Sequence, residues 1–239
     1  MNISMNQIDG NSIDLSVSEK FVKHYEEPNS FAKFIIDNEV NKGLWYDDVL
    51  FHLPGKSVVI DAGANVGLFS LYMLPRIGKV YCIEPSKAHC DTLADLFNKL
   101  AVSATIFNGA LYNRNGPVNF EVKAENTTTN QVVAKQTGVE IQAKTLSRFI
   151  DDHKIPRLDL LKIDIEGGEQ QVLMEDPTAN EALKLCRVVF VETHTPPWGM
   201  ADEKGIINKM KSLGFDVKMG GRTQQFYFTN KTPAQPGSL

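Results

Sequence analysis

The chain is poor in cysteine, with three in 239 residues. Cys82, Cys90 and Cys186 show no spacing suited to a metal site or a disulfide framework. Reduced thiols in a cytoplasmic protein are therefore the expectation. There is no basic excess either. A net charge of −4 and a pI of about 5.8 argue against a nucleic-acid partner, which needs clustered Lys and Arg. No apolar run is long enough to span a bilayer, so no membrane partner is expected. The first residues, Met1 to Asn6, lack the basic start and apolar stretch of a signal peptide. Internal repeats and blocks of like charge are also missing.

What is present is an alternation. Hydrophobic residues make up 42% of the chain, enough for a sizeable core. From residue 57 onward, short apolar runs alternate with helical patterns, the signature of a parallel α/β sheet. Strands are predicted at 57–61, 79–83, 104–107, 158–163 and 188–191, apolar throughout as befits strands covered on both faces. A helix is predicted from about Val66 to Pro75, and another carries Leu93, Leu96, Phe97 and Leu100 on one face. After a helix at about 201–213, residues 215–219 and 225–229 form a terminal antiparallel pair around Gly220-Gly221.

Two segments depart from this rhythm. Residues 1–55 are predicted to be a helical cap over the sheet's carboxyl edge, with Phe31, Phe34 and Ile35 on one face and Leu44, Trp45 and Val49 in the next turn. Residues 56–239 form the main domain. Within it, about 113–144 is predicted to be an inserted hairpin, with Val118–Val122 and Val139–Ile141 alternating like strands.

The informative residues lie just after the strands, where ligands bind in an open α/β sheet. Asp61-Ala62-Gly63-Ala64-Asn65-Val66-Gly67 follows the first strand. Its glycines permit tight geometry and close backbone approach to a ligand, and Asn65 tolerates left-handed angles. A dinucleotide fingerprint needs G-x-G-x-x-G; here the spacing is G-x-x-x-G behind a carboxylate, which repels a pyrophosphate but suits an ammonium group. Glu84, after the second strand, stands where an acidic side chain accepts hydrogen bonds from a ribose diol. Asn108-Gly109 follows the third strand, where an adenine ring would lie. Asp61, Gly63, Ala64, Asn65, Gly67, Glu84, Asn108 and Gly109 together point to S-adenosylmethionine (SAM), with Asp164 able to orient its amino group.

Asp164 and Glu166 follow the fourth strand, and Glu192 and His194 follow the fifth. Each pair is spaced by two and faces one side of an extended chain. Methyl transfer to oxygen requires removal of a hydroxyl proton. A neutral imidazole makes His194 the first candidate base and Glu166 the second, with Asp164 and Glu192 setting the local field. The same four residues could coordinate Mg²⁺, but nothing in the spacing requires it, and no metal is expected. Glu169 is assigned to the start of the following helix, where its charge suits the dipole. Lys162 is read as a partly buried residue reaching the sheet edge.

The turn D-A-G-A-N-V-G, the I-E-P after the second strand, L-S-R-F-I-D-D-H, the block L-D-L-L-K-I-D-I-E-G-G-E and the later V-F-V-E-T-H resemble FkbM-type methyltransferases over roughly residues 56–220. The resemblance implies a class I, Rossmann-like, doubly wound fold with a mostly parallel seven-stranded sheet, its last strand antiparallel. It also implies SAM-dependent O-methylation of a hydroxyl on a sugar, glycan or secondary metabolite. Two rivals are a nicotinamide-dependent oxidoreductase, opposed by Asp61 and the missing middle glycine, and a non-catalytic binding module, opposed by the acidic cluster.

Overall fold

A computed structural model describes residues 4–14, 33, 36–41, 48–121, 131–133, 138–195, 201–221 and 224–232. The chain opens with a small hairpin, β1 (Ser4–Asn6) and β2 (Ser12–Asp14). A short helix, α1 (Asp48–Phe51), precedes the alternating units: β3 (Ser57–Ala62), α2 (Leu68–Tyr72), β4 (Ile77–Glu84), α3 (Lys87–Lys99) and β5 (Ala104–Asn108). Next come β6 (Ala110–Leu111), β7 (Gly116–Glu121), β8 (Gln131–Val133) and β9 (Val139–Lys144). The remainder is α4 (Leu146–His153), β10 (Leu158–Ile163), α5 (Ala179–Lys184), β11 (Cys186–Glu192), α6 (Glu203–Ser212), β12 (Phe215–Met219) and β13 (Gln225–Asn230).

The predicted α/β architecture is the one found. Seven strands form a central sheet in the order β12-β13-β11-β10-β3-β4-β5. Strands β11, β10, β3, β4 and β5 are mutually parallel, and β13 is antiparallel to both of its neighbours. The chain leaves β3 toward β4 and β5, then returns to lay β10 on the other side of β3. This makes the β3/β10 boundary the topological switch point, the place where open α/β sheets bind ligands.

Alternation along the strands builds two cores. Val59, Val80, Leu160 and Val188 face α2 and α3, while Ile60, Tyr81, Leu161 and Val189 face α4, α5 and α6. The helices begin where their caps allow. Ser86 accepts from His89 N at 3.4 Å, Thr145 from Arg148 N at 3.2 Å and Asp202 from Gly205 N at 2.8 Å. Helix α2 is shorter than predicted because Pro75 belongs to a separate 3₁₀ turn, Leu74–Arg76.

Two peripheral expectations change. Residues 4–14 are a hairpin rather than a helix. Gly10 takes φ 82 beside Asp9, whose Oδ1 accepts from Asn11 N at 3.0 Å, and this turn sets the register. The hairpin docks at the carboxyl end of α2, where Ile8 N donates to Tyr72 O at 2.9 Å and Gln7 Nε2 to Leu71 O at 3.2 Å. Phe31, Phe34, Ile35, Leu44 and Trp45, which carry the helical reading of residues 1–55, lie outside the described residues. The inserted hairpin does form, as the antiparallel pair β7 and β9, but it widens into a four-stranded sheet in the order β6-β9-β7-β8.

Two constraints fasten the switch point. The first is contact between backbones. Gly63 has φ 75, and a Cβ there would sit 1.7 Å from Asp164 O. The second is charge. Asp61 and Lys162 are register partners on the α2 side of the sheet, and both are buried. Lys162 Nζ lies 3.3 Å from Asp61 Oδ1, 3.2 Å from Asp164 Oδ2 and 2.8 Å from the Gly63 carbonyl, to which it donates. Asp61 Oδ2 accepts from Ser70 Oγ at 2.7 Å. Its Oδ1 meets Lys162 as an ion pair without a well-aligned hydrogen bond. Burial alone would lower the Lys162 pKa, but the charges of Asp164 and Asp61 outweigh it and hold it above the ordinary lysine value.

Gly63→Ala is expected to cost about 2–4 kcal/mol in urea unfolding. Gly55→Ala, at a position with open space around it, should stay within about 0.5 kcal/mol. Lys162→Met leaves the buried Asp61 carboxylate without its counter-charge and should cost about 3–5 kcal/mol. Adding Asp61→Asn should recover part of that loss; a double variant no more stable than Lys162→Met would contradict the pairing.

Candidate active site

The turn after β3 is held from below. Gly63 N and Ala64 N both donate to Ile83 O, at 2.9 and 3.2 Å, and Gly67 N donates to Ala64 O at 2.9 Å. Asn65 (φ 50) and Gly67 (φ 92) complete the left-handed path into α2. The predicted role of the glycines is amended here: their missing side chains make room for the protein itself. Gly63 faces Asp164, and a Cβ on Gly67 would come within 2.8 Å of Leu93 Cδ2 in α3. Ala64 is buried against the same core.

Glu84 closes the turn from the next strand. Its Oε2 accepts from Asn65 N at 2.8 Å. Its Oε1 accepts from Ser86 N at 2.8 Å and lies 3.3 Å from Nδ1 of the buried His89. His89 was not singled out from the sequence, although it sits on the first turn of α3, five residues past Glu84. The Asn108 side chain donates to Glu84 O at 3.1 Å and Pro85 O at 2.7 Å, and Gly109 N donates to Glu84 O at 3.1 Å. Asn108 and Gly109 therefore tie the ends of β4 and β5 together. Asp61, expected beside the ligand's ammonium, lies beneath the turn instead, engaged by Lys162 and Ser70.

The four reaction-edge residues converge. His194 Nε2 is 3.9 Å from Asp164 Oδ1 and 3.9 Å from Glu166 Oε2. The chain does not stay extended to achieve this. Glu166 has φ 57 and Gly167 φ 102, so a left-handed turn swings the Glu166 carboxylate toward His194. Glu192 reaches the same edge, its Oε2 accepting from Gln225 Nε2 at 2.9 Å. Between Glu192 and His194, Thr193 points away, its hydroxyl donating to Glu203 Oε1 at 2.9 Å.

Sequence reasoning missed the role of Glu169. The residue does sit at the start of a helical turn, but it is buried and its carboxylate turns back. It accepts from Ile165 N at 3.0 Å and Gly167 N at 3.0 Å, and it meets His194 Nδ1 at 3.1 Å. The one available signal was its place two residues beyond the Glu166-Gly167 bend.

Electrostatics separates the two candidate bases. Burial would lower the His194 pKa, but the hydrogen bond and charge of Glu169, with Asp164 and Glu166, raise it to about 9. That direction favours the protonated ring at neutral pH, whereas the sequence reading of His194 as a base uses the neutral one. Burial pushes Glu166 up to about 7; His194 opposes this, while Asp164, Glu169 and Glu192 add to it. Glu192 is raised as well, by burial and then by the charge of Asp164. One ligand atom each from Asp164, Glu166 and His194 lies within 4.8 Å of the others, so these three could embrace a cation; Glu192 is not part of that set.

Methyltransferase sdnD of Sordaria araneosa is 29% identical in a 226-residue alignment covering 78% of this chain and 83% of that protein. Hexuronic acid methyltransferase AglP of Haloferax volcanii is 22% identical over 137 residues, covering 57% of this chain and 56% of that protein. Among solved structures, magnesium protoporphyrin IX methyltransferase from Synechocystis PCC 6803 with bound SAM is similar at a TM-score of 0.48 and 15% identity, covering 89% and 90% of the two chains. The sequence profile of the methyltransferase FkbM domain matches residues 61–217, well over half of the chain. The chain belongs to the FkbM methyltransferase domain family and is a methyltransferase.

Proposed function

We propose that this methyltransferase uses SAM to methylate a hydroxyl on a sugar, glycan or secondary metabolite. The observation that carries the reading is the crowding of Asp164, Glu166 and Glu192 beside the glycine turn. Glu166 and Glu192, whose ionisation is resisted by burial first and then by neighbouring carboxylates, favour the arrival of a cation. A sulfonium with its neighbouring ammonium answers that demand, and a pyrophosphate does not. Glu84, buried at the end of β4 with both oxygens on backbone N–H groups, retains lone pairs for a ribose diol. SAM supplies the methyl group; the chain supplies position and a proton acceptor. A sugar-type acceptor is favoured by analogy with the hexuronic acid methyltransferase relative.

In this reading Glu166 takes the hydroxyl proton. Its carboxyl, poised at about 7, is matched to neutral pH as general-base catalysis requires. His194 stays protonated in the same range and serves as a fixed positive charge between the carboxylates.

Isothermal titration should detect SAM and S-adenosylhomocysteine but not NADH or NADPH. Binding of NADH with no response to SAM would end this reading. Glu84→Ala should weaken SAM binding by about 1.5–3 kcal/mol if it holds the ribose by charged hydrogen bonds. A second expectation concerns pH. Glu166 loses its proton as pH rises through about 7, so SAM affinity should increase from about pH 6 to about pH 8, by up to about tenfold per coupled carboxylate. S-adenosylhomocysteine, without the sulfonium, should show a weaker dependence. Glu166→Gln should flatten the SAM profile and cut methyl transfer to an accepted hydroxyl by ~10²–10⁴-fold. A steep profile surviving in Glu166→Gln would remove that residue from the role.

A further inference from the structure

We propose that Glu169 is a positioning residue that fixes which nitrogen of His194 faces the reacting groups, an inference that rests on the methyltransferase reading above. Its carboxylate stitches together the two loops that carry the chemistry. From the loop after β10 it accepts Ile165 N and Gly167 N; from the loop after β11 it meets His194 Nδ1 at 3.1 Å and the His194 backbone N at 3.4 Å. The side chain of Glu169 is 3% exposed, against 26% for His194. The anchor is therefore shielded and the anchored ring is open to the site.

The chemical consequence follows from the acceptor-only nature of an ionised carboxylate. Nδ1 must donate to Glu169 whether the ring is charged or neutral, so a proton stays there in both states. Nε2 is then the atom that gains or loses a proton. It is also the atom 3.9 Å from both Asp164 and Glu166, too far for a hydrogen bond and thus facing the gap between them. A buried carboxylate that orients a histidine from behind is a recurring arrangement for setting tautomer and ring direction. Among the described residues, the charged groups facing the ring are Glu169, Asp164 and Glu166 from the β10 loop and Glu192 from β11, with Lys162 behind Asp164.

Nitrogen-15 NMR of the imidazole rings tests this without any acceptor substrate. The chain has five histidines, and His194→Gln identifies the signal by its loss. Above its titration midpoint, His194 in the native protein should be the Nδ1–H tautomer, the reverse of the usual preference of a free ring. In Glu169→Gln the midpoint should fall by about 1–2 pH units from its value near 9, and Glu169→Asp should restore part of the shift. A neutral ring protonated on Nε2, or a midpoint unmoved in Glu169→Gln, overturns the proposal. The native tautomer decides the matter even if the variants fail to fold. Failure of SAM to bind would instead sink the functional reading and leave the tautomer result standing on its own.

Discussion

The ammonium of Lys162 holds the site together from beneath. It sits between Asp61 on β3 and Asp164 beyond β10, and donates to the carbonyl of Gly63 in the turn above. Three features of the site depend on that one charge: the turn that approaches the ligand, the first carboxylate of the reaction edge, and the pairing of the two strands at the switch point. A buried ion pair contributes little net stability unless its geometry and extra hydrogen bonds are good. Here the gain is in placement. Asp164 is tied to Lys162 at the sheet end, and Glu166 reaches His194 through its left-handed turn.

Above this clamp the charge is unbalanced by design of the fold. Asp164, Glu166, Glu169 and Glu192 crowd one histidine, and the lysine below is shared between Asp164 and Asp61. Burial raises the pKa of Glu166 and Glu192, and the neighbouring carboxylates add to it. Such a surface favours a cationic ligand and disfavours an anionic one before any shape complementarity is considered. The glycine turn makes the same discrimination in backbone form, since it lacks the spacing that cradles a pyrophosphate.

Much of this was legible in the sequence because buried parallel strands are written as continuous apolar runs that stop abruptly at their functional ends. The strands near 58, 80, 105, 160 and 189 were found for that reason, and Asp164, Glu166, Glu192 and His194 could be assigned to one edge. What escaped depends on partners distant in sequence. The reason for glycine at 63 is a carbonyl at 164. Lys162 looks like an interrupted strand until Asp61 is placed opposite it. The charge state of His194 depends on Glu169, whose carboxylate turns backward in a way no periodicity encodes. Strands as short as Ser4–Asn6, Ala110–Leu111 and Gln131–Val133 carry too few residues to show an alternation.

The clamp also has a bearing on how the chain is made. Lys162 and Gly63 are separated by 99 residues, so a nascent chain emerges with Asp61, Ser70 and the whole of β3 through β5 long before the lysine exists. During that interval the Asp61 carboxylate lacks the Lys162 charge, and burying it unpaired is costly. Arrival of β10 supplies the missing strand and the missing charge in one segment, coupling closure of the sheet to assembly of the carboxylate edge. Long-range pairing of this kind is slow, but it ensures that a chain with a completed core is also a chain with a completed site.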